Sequence, residues 1–224
     1  MSTVLWYTLP IAVAIALSVF PIVAVLVLLL EPEPMRRSVA FAVGWAAGLL
    51  VLVTVFTISA KLTPHERRTP FPPWAHVAEI VIGIVLVVMA LLVGRRAGRS
   101  APAGVTELSG LASGMTTPRA FAFGLMMNVR PKNIVLTLAA GLAIGAASLE
   151  FVASTMIVVI VTVVGASTVV GLVVVYAVGK SRVRPSLDRL HRYLVDHAAT
   201  VLRLLGALIG VALIVIGTVQ LTSG

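Results

Sequence analysis

The sequence contains no cysteine and few charged residues, and both shortages limit what the protein can be. Of its 224 residues, 11% are charged and 59% are hydrophobic, and the mean hydropathy is +1.10. A soluble domain of this size does not need so much apolar surface, so the composition indicates an integral membrane protein. The lack of cysteine excludes disulfides, thiolate metal sites and thiol redox relays, including electron transport through a membrane dithiol.

Acidic residues are scarce as well, with 8 Asp and Glu against 17 Lys and Arg. This leaves little room for a metal-dependent hydrolase, and the chain has no phosphate-binding loop, nucleophile elbow or HExxH motif. We therefore expect no enzyme activity, no cofactor and no metal site. Most of the net charge of +9 lies in loops between apolar runs. Membrane topology and anionic lipid explain such charge better than a nucleic acid partner does.

Six apolar segments are long enough to cross a bilayer, at residues 4–30, 39–62, 74–93, 121–147, 151–178 and 201–221. The first has the position of a secretory signal, but it lacks a basic start and is too long, so we expect it to be retained. The first, third and fifth loops hold 12 basic residues, whereas the other two hold 3. The positive-inside rule then places the odd-numbered loops in the cytoplasm and both termini outside.

The two halves of the chain share one similar stretch. Residues 18–28 align without gaps on residues 128–138, with five identical pairs that include Pro21 and Pro131. Three spans separate the copies, so the second crosses the membrane in the opposite direction, as in inverted-topology repeats. A proline inside a span breaks or kinks its helix. Paired broken helices point to a transporter's binding site, so we expect Pro21 and Pro131 to approach each other near the midplane.

The predicted fold class is all-α: a polytopic membrane protein whose six transmembrane helices form two inverted-topology three-helix repeats with a proline-broken first helix in each. Within this single membrane domain, residues 1–94 form the first repeat, residues 95–120 a cytoplasmic linker rich in Gly, Ser and Ala, and residues 121–224 the second repeat. After Pro185, apolar residues recur at three- and four-residue spacing between charged ones. This spacing predicts an amphipathic helix at about residues 186–200 on the inner leaflet.

Three small-xxx-small pairs allow close helix packing, either within the bundle or between subunits of a homo-oligomer. They are Gly44 with Gly48, Gly141 with Gly145, and Gly206 with Gly210.

Two cations interrupt the fourth apolar segment, Arg130 and Lys132 on either side of Pro131. A helix through this segment places Arg130 about 14 Å from Phe121, near the middle of a hydrocarbon core about 30 Å thick. A charged side chain at that depth costs about 2.5 to 3.5 kcal/mol and usually faces an interior cavity. There the two cations would bind an anionic head group, since the Arg fork suits carboxylate, phosphate or sulfate. Alternatively, the span begins after these residues, and both snorkel to the inner head groups as anchors.

Further polar residues complete the list of candidates. Asn128 and Asn133 offer neutral hydrogen bonds to a substrate, and Ser18 offers a hydroxyl from the other repeat. Each could instead cap backbone groups that the prolines free. Glu79 and His76 share a helix face near the outer surface, where they are candidates for proton coupling; the alternative is a pair exposed to water at the interface.

These features resemble one family. Leu-Ser-Val-Phe-Pro at residues 17–21, Asn-Val-Arg-Pro-Lys-Asn at residues 128–133, the six-span layout and the basic fifth loop are similar to the sulfolipid-addressing, or GAP-like, membrane proteins of the LysE transporter superfamily. The resemblance implies a bacterial inner-membrane exporter of the high-GC, mycolate-type envelope, associated with movement of glycolipids to the cell surface. It carries over only Asn128, Pro131 and Lys132 as motif residues.

We therefore predict an exporter or translocator of anionic lipid, glycolipid or small organic anions, which works by alternating access around a cationic midplane site. Two alternatives stay open. Better-known relatives export basic amino acids, which a cationic site disfavours unless its two cations act as gates. A non-transporting accessory protein could instead scaffold a lipid synthase or a larger exporter through its basic cytoplasmic loops.

Overall fold

The computed structural model describes residues 2–62, 114–147 and 149–197, together with isolated positions elsewhere. All regular structure in these ranges is helical. Glu79 and His76 lie outside the described residues, as do most of the predicted third and sixth spans.

The chain forms two compact units, Met1–Pro64 with Gly104–Arg192, and His65–Ala103 with Tyr193–Gly224. Most of the described residues belong to the first unit, which also holds both proline-containing repeat segments.

The described ranges contain seven α-helices. They are α1 (Ser2–Ala16), α2 (Val19–Leu30), α3 (Pro34–Leu62), α4 (Thr117–Met126), α5 (Pro131–Ala146), α6 (Phe151–Gly179) and α7 (Arg184–Asp196). By length and composition α3 and α6 can each cross a bilayer, and α1 with α2 can form a third, bent crossing. α5 is a shorter apolar helix. The protein is thus a helical membrane protein, while its predicted six-span layout stays a prediction.

Several predicted boundaries shift by a few residues. α3 begins at Pro34, before the predicted start at residue 39, because proline is well suited to the first position of a helix. α4 begins at Thr117, inside the segment assigned to the linker. The predicted amphipathic helix is found as α7, with Leu187 buried and Arg189 exposed. Its position on a membrane surface stays a prediction.

The first predicted span is broken between α1 and α2, which meet at 44°. Pro21 explains the position of the break, because it has no NH to donate to the carbonyl of Leu17 and its ring would clash there. Ser18 is extended, at φ −73° and ψ 114°, and α2 starts at the next residue. Pro21 then lies in the first turn of α2, where NH groups have no helical partner in any case. The predicted kink is confirmed.

The second predicted break, between α4 and α5, is also confirmed, but it has a different form. A 3-10 turn at Met127–Val129 leads to Arg130, which is extended at φ −68° and ψ 141°. The residue before a proline disfavours the helical region, so α5 starts at Pro131 itself. In the alignment Ser18 matches Asn128, so the extended residue lies two positions later in the second copy.

The two broken pairs run in opposite directions. Glu31, directly after α2, accepts a hydrogen bond of 2.6 Å from the NH of Gly114, shortly before α4. Val4 at the start of α1 and Leu149 after α5 pack against the same core cluster, which includes Ile144. The end of α2 therefore lies beside the start of α4, and the start of α1 lies beside the end of α5. An inverted repeat requires this antiparallel relation.

Loops that the sequence assigns to one side of the membrane lie at one end of this unit. Besides Glu31 and Gly114, the guanidinium of Arg184 at the start of α7 donates to the carbonyl of Leu30. At the opposite end, the Lys61 ammonium donates to the carbonyl of Leu149, at 3.3 Å, which joins the end of α3 to the connection between α5 and α6. The described residues of the first, third and fifth connections thus lie at one end, and those next to the second and in the fourth lie at the other. The side of the membrane that each end faces stays a prediction.

Glycines bring α3 into backbone contact with α4 and α5. A Cβ atom added to Gly44 would lie 2.1 Å from the carbonyl oxygen of Phe121 in α4. One added to Gly141 in α5 would lie 2.5 Å from the Cβ of Phe56 in α3. The close packing predicted from these two small-xxx-small pairs is confirmed, and it occurs within the chain. Gly206 of the third pair lies outside the described residues.

We expect Gly44→Ala to lower the free energy of unfolding by about 1 to 3 kcal/mol, because the added methyl group forces two backbones apart. The midpoint of thermal unfolding in detergent measures the effect. Gly171→Ala in α6 is the matched control, since a Cβ there meets nothing within 4 Å. Equal midpoints for the two variants would contradict the close contact.

Candidate functional site

The two helix breaks lie side by side. The guanidinium carbon of Arg130 is 3.9 Å from the centroid of the Phe20 ring, a cation–π contact. Phe20 and Arg130 occupy equivalent positions in the aligned copies, each directly before its proline. The residues that precede Pro21 and Pro131 therefore touch, while the approach of the two prolines near the midplane stays a prediction.

Lys132 also reaches across to the first copy. Its ammonium lies 3.4 Å from the carbonyl oxygen of Ala14, near the end of α1. The NH of Ser18 would normally donate to that oxygen, but it bonds to Ile15 instead, at 3.1 Å. Lys132 supplies a donor for the freed carbonyl, and a cation is favourable at the negative end of the α1 dipole.

Neither cation of the site has a carboxylate partner among the described residues. In contrast, Arg37 pairs with Glu31 at 2.8 Å and Arg192 with Asp188 at 2.7 Å. Arg130 and Lys132 are both partly buried; Arg130 contacts an aromatic ring and Lys132 contacts a backbone carbonyl. The site thus holds two positive charges that no described residue neutralises, and an anion would complement them.

Asn133 repairs the backbone at the second break. Pro131 has no NH to donate to the carbonyl of Met127, four residues earlier. The Asn133 Nδ2 donates to that carbonyl instead, at 3.2 Å, and the side chain is only 2% exposed. The equivalent residue in the first copy is Val23, which cannot donate. This contact fits the alternative in which Asn133 caps a freed backbone group.

Asn128 ties the end of α4 to α3. Its Nδ2 lies 3.2 Å from the carbonyl oxygens of both Trp45 and Gly124, and the side chain is 1% exposed. A Cβ on Gly48 would lie 2.4 Å from this nitrogen, so the glycine makes room for the amide. Like Asn133, Asn128 donates its side-chain NH groups to backbone carbonyls.

The oxygen atoms of these two amides, unlike their nitrogens, make no hydrogen bond to a described residue. The Oδ1 atoms of Asn128 and Asn133 are buried and have no hydrogen-bond partner among the described residues. The amide orientations follow from the carbonyls that each Nδ2 contacts, since a flipped amide would place oxygen against oxygen. Each side chain therefore places beside the break a buried oxygen acceptor that no described residue uses.

Ser18 lies in the first break and is buried, with 4% exposure. Its side chain does not cap α2. No hydrogen bond joins its hydroxyl to Arg130 or Lys132 within the described part of the chain. The structure thus brings both cations to the two breaks, while a shared substrate-binding role for Ser18, Asn128 and Asn133 stays a prediction.

Two residues that contact the cations were not among the predicted candidates, Phe20 and Ala14. Phe20 could have been found, because the alignment places it opposite Arg130. The Ala14 carbonyl could not, because only the direction of the broken α1 shows that it is free and near Lys132.

These features define a helical membrane protein with a cationic site where two antiparallel broken helices meet. The family model described as Sap, sulfolipid-1-addressing protein, matches residues 8–219, and the chain belongs to this family. No curated protein and no solved structure matches the chain. The family predicted from the two proline segments is confirmed, and the wider grouping with LysE transporters stays a prediction.

We expect Asn133→Val, which copies the first repeat, to leave the Met127 carbonyl without its donor. The buried carbonyl should lower the free energy of unfolding by about 1 to 3 kcal/mol. Thermal unfolding of the purified protein in detergent tests this. Thr155→Val, which removes an exposed hydroxyl bonded to its own helix, is the control. A midpoint for Asn133→Val no lower than that of the control would show that the cap is dispensable.

Proposed function

We propose that this protein moves anionic lipids or glycolipids across the bacterial inner membrane by alternating access around Arg130 and Lys132. The observation that supports it best is the pair of cations without a carboxylate partner among the described residues, held where two broken helices meet. An anionic head group would bind between them and stay chemically unchanged, so we propose a translocator and not an enzyme.

The backbone next to the cations also favours an anion. α5 begins at Pro131, between Arg130 and Lys132, and the NH groups of a helix's first turn point away from the helix without partners. The positive end of the α5 dipole therefore adds to the two side-chain charges. A carboxylate, phosphate or sulfate group offers the acceptors that such a site lacks.

Exposed apolar residues beside the cations favour an amphiphile over a small soluble anion. Val129, which directly precedes Arg130, is 62% exposed, and Met126, at the end of α4, is 68% exposed. In a membrane protein such a surface can contact acyl chains while the head group lies at the cations. The family description, which concerns a sulfolipid, agrees with this preference. Small organic anions remain the second class of cargo, and basic amino acids are disfavoured by charge.

The antiparallel broken pairs support alternating access. Two copies of one element that cross in opposite directions can exchange conformations, which opens the shared site first to one side and then to the other. With the basic odd-numbered loops in the cytoplasm, the end at Glu31 faces inward and the end at Lys61 faces outward. Export then runs from the Glu31 end to the Lys61 end.

A second function has one observation in its favour. α7 exposes Arg189, Leu190 and Tyr193, a mixture of basic and apolar groups suited to a partner. The protein could then be an accessory scaffold for a lipid synthase or a larger exporter. Transport by the purified protein alone separates the two functions, because a scaffold moves nothing without its partner.

We expect Arg130→Ala and Lys132→Ala each to reduce lipid translocation about tenfold or more, which corresponds to about 1.4 kcal/mol of lost interaction with the head group. The assay uses the purified protein in vesicles and follows a fluorescent sulfated glycolipid from one leaflet to the other. A zwitterionic lipid with the same chains measures head-group selectivity.

Arg189→Ala is the matched control, since it removes an exposed cation from α7. If both site variants translocate the sulfated lipid as fast as the parent, the cations are not the binding site. If the parent protein moves no lipid at all but binds a lipid synthase, the scaffold function is correct.

A further inference from the structure

One carboxylate joins three parts of the chain at the Glu31 end of the first unit. Glu31 Oε2 accepts from the guanidinium of Arg37 in α3 at 2.8 Å, and Oε1 accepts from the NH of Gly114 at 2.6 Å. The Glu31 side chain is only 15% exposed. Short hydrogen bonds to a charged acceptor are among the stronger polar contacts, so Glu31 holds the end of α2 to α3 and to the residues that lead into α4.

A second polar contact lies next to the first. Arg184 donates to the carbonyl of Leu30, which is the last residue of α2 and has no helical partner for that carbonyl. An open groove lined by Leu30, Arg184, Pro185 and Asp188 runs beside this bond. The end of α2 is therefore attached to α7 through a polar contact next to a groove and not through a filled interface.

The two ends of α2 suggest that this helix can swing. At its start lies the break at Leu17 and Ser18, and at its end lie the contacts of Leu30 and Glu31. Between them, the sequence of α2 is entirely apolar, so its packing carries no directional bonds from side chains. α3, α4 and α5 are instead locked by glycine contacts at backbone distance. Opening at this end therefore breaks polar bonds that water can replace, while the apolar side chains of α2, most of which are buried, have to stay covered as the helix turns.

We propose that Glu31 is a latch: it holds α2 against the lead-in to α4 and closes the path from this end of the protein to the cluster of Ser18, Phe20, Arg130 and Lys132. Release of Glu31 from Gly114 lets α2 turn about the break and exposes the cluster. The latch goes beyond the proposed translocation, because it governs access to the cluster whatever binds there.

The absence of cysteine makes this access measurable. Ser18→Cys places a single buried thiol in the break. A charged methanethiosulfonate reagent is admitted to one face of vesicles containing the full-length protein, and the modification rate is measured without any cargo. We expect Glu31→Ala in the Ser18→Cys background to raise the rate from the Glu31 face about tenfold or more and to leave the rate from the Lys61 face unchanged.

Lys61→Ala in the same background removes a polar contact at the opposite end and should leave the rate from the Glu31 face unchanged. The double variant Glu31→Arg with Arg37→Glu restores the ion pair but gives Gly114 no acceptor. It should regain thermal stability and still be modified fast.

Three results would overturn the latch: an unchanged rate for Glu31→Ala, equal acceleration from both faces, or a return to the slow parent rate in the charge-swapped variant. The last would mean that the ion pair alone closes this end. Because no cargo is present, none of these results depends on whether the protein translocates lipid.

Discussion

The missing NH groups of two prolines determine how this protein is built around its site. Each proline leaves the carbonyl four residues earlier without a helical donor, and a freed carbonyl inside a membrane protein must find another. At the second break the donor is Asn133, which reaches the Met127 carbonyl at 3.2 Å. At the first break the chain also frees the carbonyl of Ala14, because the NH of Ser18 bonds to Ile15 instead, and Lys132 reaches the Ala14 oxygen at 3.4 Å. The repair of the backbone thus places one of the two cations where the copies meet.

α3 is the helix against which the second break is packed. Its glycines let α4 approach until backbone touches backbone, and Gly48 leaves the space that Asn128 fills. Through Asn128, the end of α4 is bonded to the Trp45 carbonyl of α3. The second break is therefore held in place by a helix that is itself unbroken. This contact fixes the position from which Arg130 reaches the Phe20 ring.

Sequence predicted the parts of the fold that depend on local chemistry. Pro21 and Pro131 predicted both breaks, and the glycine spacing predicted the close contacts between helices. The exact positions of the breaks were beyond prediction, because the 3-10 turn before Arg130 depends on tertiary packing. For the site, charge and depth singled out Arg130 and Lys132. The hydrogen bonds of Asn128 and Asn133 to backbone carbonyls were predicted only as an alternative. An amide beside a proline can bind either the backbone or a ligand, and the sequence does not show which of the two it binds.

The two-position offset between the breaks means that the halves are related but not interchangeable. In the first copy the extended residue is Ser18, whereas in the second it is Arg130, the match of Phe20. If the halves exchanged conformations during a transport cycle, the resulting state would not be related to the starting one by a two-fold rotation. Its energy would differ from that of the starting state even with equal cargo on both sides. A protein that worked in this way would rest facing one side even without a gradient.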